Sequence, residues 1–399
     1  MKIFRCDHCQ QLVFFENVQC VTCGHELAFL PDLGVIASLD DSTQETRTSP
    51  LPRSRGKQYR LCENYTKQNV CNWAVAANDP ERLCRSCRLN DIIPNLGKEG
   101  NQSAWYKFEV AKRRLIYTFL ALGLPVMSKK KDADRGLEFS FKENPDDPKA
   151  PPVLTGHANG VITFNIAEAD DSERERVRNQ FQEPYRTILG HFRHESGHYY
   201  WDRLIRDGGR LVEFRKLFGG EQLNYGEALK RHHAEGARAD WQDSFVSAYA
   251  TVHPWEDWAE TWAHYLHMTD TLETASACGV RLRPARKGDP TLHSIPNPVD
   301  GEPESFDEWM ESWVPLTYVL NNLNRGLGLP DAYPFVLSPP VVLKLQFIHE
   351  TVISARDQPF APAPFAPAPF PPVPEASVPG HGGVASPKVL IPATAQVKT

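Results

Sequence analysis

The sequence lacks a long apolar run. Its longest one, Leu115 to Met127, follows Arg113 and Arg114 and contains Gly123 and Pro125. It is shorter than the roughly 20 apolar residues that cross a bilayer, and we expect it to form a buried helix. The first residues also lack the apolar segment of a secretory signal and lead directly into a cysteine motif. These absences predict a cytoplasmic protein with no membrane partner.

The chain also lacks an excess of positive charge. Its 44 Lys and Arg residues are outnumbered by 50 Asp and Glu residues, giving a net charge of −6. Because nucleic acids and anionic membranes bind basic surfaces, nucleic acid is an unlikely partner for the protein as a whole. Apolar residues make up 41 % of the 399 residues, which is enough for a sizeable core and for several domains.

Cysteine is almost absent beyond residue 90, where Cys278 stands alone among nine cysteines. In a reducing compartment, the dense N-terminal cluster favours metal binding over disulfides. The first set has the paired C-x-x-C spacing of a zinc ribbon, and the second ends in one C-x-x-C pair. We expect each set to hold one structural zinc ion. The first comprises Cys6, Cys9, Cys20 and Cys23, and the second comprises Cys62, Cys71, Cys84 and Cys87.

Composition divides the chain into five parts. Residues 1–38 are predicted to form the zinc ribbon, 39–58 a polar linker and 59–97 the second four-cysteine module. Residues 98–355 contain amphipathic segments and form the largest predicted domain, of mainly helical α+β class. Residues 356–399 repeat Ala, Pro and Phe and are predicted to be a disordered tail that could bind a partner protein.

A zinc-binding motif, H-E-x-x-H, occurs at His194, Glu195 and His198. On a helix, residues four apart lie on one face, so both imidazoles can bind one Zn²⁺. Glu195 points to one side of that face and can take a proton from a water on the open side of the metal. The motif predicts zinc-assisted hydrolysis, most often of a peptide bond.

Such a site needs a third protein ligand, and the sequence offers one in a second helix. The pattern E-x-x-A-E places Glu256 as the candidate ligand and Glu260 one turn later, where it could hydrogen-bond a ligating imidazole. Glu260 itself, His253 and His264 remain alternative ligands. The residues from Asp240 to Val252, just before this helix, are also predicted to be helical.

Three segments, two of which contain the motifs above, carry a resemblance to a known family. They are Cys84 to Asn90, His194 to Trp201 and His253 to His267, the last with the pattern H-P-x-E-D-x-A-E-T-W-A-H-Y-L-H. Over residues 1–355, the chain resembles bacterial zinc-ribbon-containing zinc-binding metallopeptidases, and more broadly the gluzincin clan. The resemblance implies a zincin-like domain with His194, His198 and Glu256 as zinc ligands and Glu195 as general base.

The resemblance adds one more residue. Lethal-factor-like members of the clan place a tyrosine seven residues before the glutamate ligand, and Tyr249 stands at that position. By this resemblance, its hydroxyl would stabilise the oxyanion of the reaction. The alternative is a core tyrosine on an apolar face.

The sequence thus predicts a zinc-dependent peptidase acting on a peptide or protein substrate. A strand before the zinc helix, in the segment 153–166, could pair with an extended substrate backbone. The alternative is a regulatory protein whose cysteine modules bind a protein or nucleic acid and whose H-E-x-x-H zinc is not catalytic.

Overall fold

The computed structural model describes residues 1–41, 43, 45–147, 149–172, 174, 187–299, 305–356 and 358. Its helices are α1 Glu63–Thr66, α2 Asn101–Ala121, α3 Ile188–Tyr200, α4 Leu211–Phe218, α5 Tyr225–Glu235, α6 Pro254–Ala277, α7 Phe306–Gly326 and α8 Pro339–Ala355. Its strands are β1 Phe4–Arg5, β2 Leu12–Val13, β3 Glu26–Leu30, β4 Val35–Asp41, β5 Arg47–Thr48, β6 Gln58–Leu61, β7 Ala74–Ala76, β8 Asn90–Ile92, β9 Glu138–Lys142, β10 Gly156–Ala158 and β11 Val161–Asn165. Helices dominate after residue 100, as the predicted mainly helical α+β class requires.

The N-terminal region contains a two-stranded sheet, β1–β2, and a five-stranded sheet in the order β3-β4-β5-β6-β7. The larger sheet is antiparallel throughout and joins the two cysteine-rich units. The prediction of a linker over residues 39–58 is therefore wrong, since this segment supplies the end of β4, all of β5 and the start of β6. Arg47 of β5, one of its polar residues, forms an ion pair with Glu26 of β3 at 3.2 Å.

A four-stranded sheet in the order β10-β11-β9-β8 opens the second half of the fold. The predicted hairpin is present as β10 and β11, and its turn at Asn159 and Gly160 has positive φ angles of 50° and 81°. Among the described residues, β10 has no strand on its outer side. This leaves an edge strand beside α3.

One continuous apolar core joins the cysteine-rich units to the helices. Phe164 of the four-stranded sheet packs 4.1 Å, ring centre to ring centre, from Phe192 of α3, and 5.4 Å from Phe108 of α2. The segment Leu115–Met127, predicted to be a buried helix, is helical as far as Ala121 at the end of α2. None of the described helices combines the length and apolarity that a bilayer crossing requires.

The helix predicted for Asp240 to Val252 is absent. Only two short 3-10 turns form there, at Trp241–Asp243 and Tyr249–Thr251. The carbonyl oxygen of Ser244, which a helix would use internally, instead accepts a hydrogen bond from the Lys344 ammonium at 2.7 Å. Tertiary contacts therefore override the local helical pattern. The Pro-rich tail predicted for residues 356–399 lies outside the described residues, apart from Arg356 and Gln358.

Candidate metal centre

Helix α3 carries the H-E-x-x-H motif. Thr187 caps the start of the helix, and its hydroxyl accepts a hydrogen bond from the amide of Gly190. One turn of helix separates His194 from His198, and their Nε2 atoms lie 3.2 Å apart. Both imidazoles are buried and point to the same place.

Helix α6 crosses α3 and brings a carboxylate to this point. Oε2 of Glu256 lies 3.1 Å from Nε2 of His194 and 3.5 Å from Nε2 of His198. With the 3.2 Å between the two nitrogens, the three atoms form a nearly equilateral triangle. Ligands at 2.0–2.1 Å in a tetrahedron around Zn²⁺ stand about 3.3–3.4 Å apart, so the triangle has the size of one face of a zinc site.

The surroundings of Glu256 support the same interpretation. The residue is buried, and among the described residues no hydrogen bond reaches its Oε2 atom. A buried carboxylate oxygen without a hydrogen bond is costly unless a cation compensates it. Two imidazoles and one carboxylate are a donor set that Zn²⁺ accepts, so these residues fit a zinc ion.

Electrostatics couple these groups strongly. Burial lowers the pKa of His194, but the carboxylates of Glu256 and Glu260 outweigh burial and raise it well above its ordinary value. Burial raises the pKa of Glu256, but the imidazoles of His198 and His194 outweigh it and hold this pKa well below the usual range. The cluster therefore stabilises a positive charge between its carboxylates and imidazoles.

Glu260 lies on the far side of His194. Its Oε1 atom is 2.6 Å from Nδ1 of His194, and its Oε2 atom accepts a hydrogen bond from the Ser247 hydroxyl at 2.6 Å. A carboxylate at Nδ1 holds the proton on that nitrogen and leaves the Nε2 lone pair for a metal. Glu260 thus has the contact that the sequence predicts for it.

The other candidate ligands have different partners. Nδ1 of His253 accepts the Trp255 amide hydrogen at the start of α6, and its Nε2 atom donates to the carbonyl of Leu223. Nδ1 of His264 lies 2.8 Å from the Tyr333 hydroxyl. Among the described residues, neither histidine is grouped with the triangle of donor atoms.

Glu195 and Tyr249 also lie at this centre. Glu195 is buried on α3. The ring of Tyr249 lies 5.9 Å from that of His194. Burial raises the pKa of the Tyr249 hydroxyl well above its ordinary value, as do the carboxylates of Glu256 and Glu195. The phenol therefore keeps its proton and remains a donor.

Sequence reasoning missed three neighbours of the centre. The Tyr225 hydroxyl donates to Oε1 of Glu256 at 2.8 Å, and Ser247 supports Glu260. The ring of Trp255 packs 3.8 Å from that of His198. Trp255 lies inside the conspicuous segment around Glu256 and could have been found by its position, whereas Tyr225 and Ser247 belong to no recognisable motif.

Both cysteine sets also have metal-site dimensions. Within each set of four, the sulfur atoms lie within 4.8 Å of one another, and none forms a disulfide. The sulfur atoms of Cys6 and Cys23 are 3.7 Å apart, those of Cys9 and Cys20 are 3.5 Å apart, and those of Cys71 and Cys84 are 3.8 Å apart. Thiolates at 2.3 Å around a tetrahedral zinc ion stand about 3.8 Å apart, so both sets fit Zn²⁺.

Comparison with known proteins identifies two family models. Residues 101–351 match the family described as "Putative zinc-binding metallo-peptidase", and residues 3–98 match a zinc-ribbon domain. Among curated proteins, the chain is similar to uncharacterized proteins of Mycobacterium bovis and of two strains of Mycobacterium tuberculosis. Each is 40 % identical over 365 residues, which cover 91 % of this chain and 98 % of the relative. No solved structure matches the chain significantly.

Proposed function

Because the chain belongs to this family of zinc-binding metallopeptidases, we propose that it hydrolyses peptide bonds with a zinc ion held by His194, His198 and Glu256. The observation that carries the proposal is the triangle of Nε2, Nε2 and Oε2 atoms, with edges of 3.1, 3.2 and 3.5 Å. The family match supports a zinc-binding peptidase, and the triangle supports these three ligands.

The chain's own residues have distinct roles in the proposed reaction. A zinc ion at this position would polarise the peptide carbonyl and lower the pKa of a water molecule. Glu195 would take the proton from the attacking water and pass it to the leaving amine. Tyr249 would donate a hydrogen bond to the developing oxyanion, and Glu260 would hold His194 in the required tautomer.

The proposal extends to the fold and to substrate binding. An H-E-x-x-H helix with a glutamate ligand on a second helix is the arrangement of the gluzincins, so we assign residues 98–355 to a zincin-like domain. The edge strand β10 packs beside α3, and the ring of its His157 lies 6.3 Å from that of His198. An extended peptide substrate would pair with this edge through its backbone.

The two cysteine sets would each hold one structural zinc ion, giving three zinc ions per chain. Four thiolates close the coordination sphere, so these sites would leave no position for a substrate. Their sulfur–sulfur distances of 3.5–3.8 Å support this assignment.

Comparing the wild type with Glu195→Gln tests the proposal. We expect both proteins to bind three zinc ions, and only the wild type to cleave a mixed peptide library, because the amide of glutamine cannot act as a base. Glu213→Gln, which alters an exposed carboxylate on α4, is the matched control and should cleave like the wild type. Metal content is measured by mass spectrometry of the folded protein.

One observation favours the alternative of a binding protein. The zinc ribbon exposes large apolar side chains, with Phe14 79 % and Val21 88 % exposed, as a protein-binding surface would. If wild type and Glu195→Gln bind zinc equally and neither cleaves any peptide of the library, the peptidase proposal is wrong and this alternative gains support.

A further inference from the structure

Tyr225 links α5 to the candidate metal centre. It is the first residue of α5, and its hydroxyl donates to Oε1 of Glu256 at 2.8 Å. The other oxygen, Oε2, faces His194 at 3.1 Å and His198 at 3.5 Å. The two oxygens of the Glu256 carboxylate therefore have different partners, a hydroxyl on one side and the imidazoles on the other.

We propose that Tyr225 is a positioning residue that fixes the Glu256 carboxylate so that only Oε2 is presented to the metal. This inference rests on the proposed function, since it needs a zinc ion at the three donors. A carboxylate on a flexible side chain can rotate, and either or both of its oxygens can bind a metal. A hydrogen bond to a charged acceptor is among the stronger ones in proteins, and here it selects one orientation.

Several contacts fix the start of α5, where Tyr225 lies. The side chain of Asn224 caps α5 by accepting the Glu227 amide hydrogen at 3.1 Å. The preceding carbonyl, of Leu223, accepts a hydrogen bond from Nε2 of His253 at 3.1 Å. The Tyr225 ring lies 5.5 Å from the ring of His253, which caps α6 just before Glu256. The start of α5 and the start of α6 are thus fixed to each other.

The fold contains a second tyrosine–glutamate pair that serves as a matched comparison. On the same helix α6, Glu273 accepts a hydrogen bond from the Tyr117 hydroxyl at 2.5 Å. Both carboxylates are buried, but Glu273 belongs to none of the candidate metal-ligand groups of the described residues. If Tyr225 had a purely structural role, loss of either tyrosine hydroxyl would have the same effect on the zinc affinity of the third site.

The test compares Tyr225→Phe with Tyr117→Phe in the zinc-loaded chain of 399 residues. Each protein is dialysed against a series of zinc buffers, and the zinc bound outside the two cysteine sets is measured. We expect Tyr225→Phe to weaken this third site by about 10- to 100-fold, while Tyr117→Phe leaves its affinity unchanged. Phenylalanine keeps the ring packing at 225, and circular dichroism of each variant checks that it is folded.

A double-mutant cycle with Glu256→Ala shows whether Tyr225 acts through Glu256. Once Glu256 is absent, Tyr225→Phe should change the remaining zinc affinity by less than about twofold, because the hydroxyl has lost the group it orients. If the wild type and Tyr225→Phe bind zinc with equal affinity, the positioning role of Tyr225 is wrong, but the proposed function still stands. A wild type that binds zinc tightly but cleaves no peptide overturns the proposed function and leaves the positioning role standing. A wild type without a third zinc ion overturns both.

Discussion

Tyr249 is the residue that we propose as the donor to the oxyanion. Its ring lies 5.9 Å from that of His194, and its hydroxyl keeps its proton because burial and nearby carboxylates raise its pKa. We expect Tyr249→Phe to lower kcat by about 10²- to 10³-fold, the usual effect of losing one oxyanion donor, with zinc content unchanged. Steady-state kinetics and metal analysis of the same samples measure both.

A control separates this role from packing. Tyr200→Phe removes another buried hydroxyl, which donates to the Pro125 carbonyl at 3.0 Å, away from the donor triangle. This variant should lose stability but keep its kcat. If Tyr249→Phe instead keeps its kcat and only lowers the melting temperature, Tyr249 is a core tyrosine, the alternative that the sequence left open.

At the same scale, the sequence predicted which side chains meet when their spacing follows from a helix. His194 and His198 share a face because they are one turn apart, and the same holds for Glu256 and Glu260. Tyr225 is 31 residues from its partner Glu256, and the distance between them depends on how α5 docks. No helical or strand period links such positions, so this contact could be found only in the structure.

At the scale of elements, the crossing of α3 and α6 sets the geometry of the centre. A Cβ atom on Gly197 would lie 2.8 Å from the Cα atom of Ala259 and 3.2 Å from the Cβ atom of Trp262. A side chain at this position would therefore collide with the backbone of α6, which explains why a glycine stands here. We expect Gly197→Ala to lower the free energy of unfolding by about 1–3 kcal/mol, as measured by urea denaturation.

Gly226→Ala is the matched control for this substitution. Gly226 lies in α5, where an added Cβ atom would meet only Oδ1 of Asn224 at 3.6 Å, an ordinary contact. Alanine is favoured over glycine inside a helix by up to about 1 kcal/mol, so this variant should be as stable as the wild type or more so. If Gly197→Ala and Gly226→Ala lower the free energy of unfolding equally, close packing of α3 against α6 is not the reason for the loss at Gly197.

Two elements differ from the sequence-based expectation, and both for tertiary reasons. The segment before α6 has the apolar spacing of a helix at Trp241, Phe245 and Tyr249, but Lys344 takes a carbonyl that the helix needs. The supposed linker 39–58 has a polar composition typical of loops, yet its neighbours β4 and β6 recruit it into a sheet. Local composition carries no information about such partners.

At the scale of the whole molecule, α2 connects the second cysteine set to helices α3 and α6. Glu109 on α2 lies 3.8 Å from the sulfur of Cys87 and forms a buried ion pair with Lys112 at 2.6 Å. Arg113 is also buried, and its guanidinium donates to the Val70 carbonyl. Burial lowers the pKa of Arg113, but the thiolate of Cys71 and the carboxylate of Glu109 outweigh this and raise it. Four thiolates around a Zn²⁺ ion would carry a net charge of −2, which Arg113 would offset in part, while Lys112 is paired with Glu109.

This arrangement predicts that the second cysteine set stabilises the peptidase domain and not only its own module. Cys87→Ser should weaken metal binding and leave Arg113 with less of its countercharge, at a cost of up to about 3–5 kcal/mol. Because α2 packs directly on α3 through the Phe108–Phe192 contact, amide hydrogens of both helices should exchange faster. Hydrogen exchange read out by mass spectrometry measures this peptide by peptide.

Two cysteine variants complete the comparison. Cys278→Ser alters an exposed thiol and should change neither the metal content nor the amide hydrogen exchange of the protein. Cys23→Ser affects the first set, whose Cys9 and Cys23 are only partly buried and whose ion pair with α2, between Glu16 and Arg114, is partly exposed. In the Cys23→Ser variant, amide hydrogens of β1–β3 should therefore exchange faster, while those of α3 stay protected. If Cys87→Ser also leaves α3 protected, the second zinc module is energetically separate from α3, because the buried charges on α2 would have transmitted the loss of the metal.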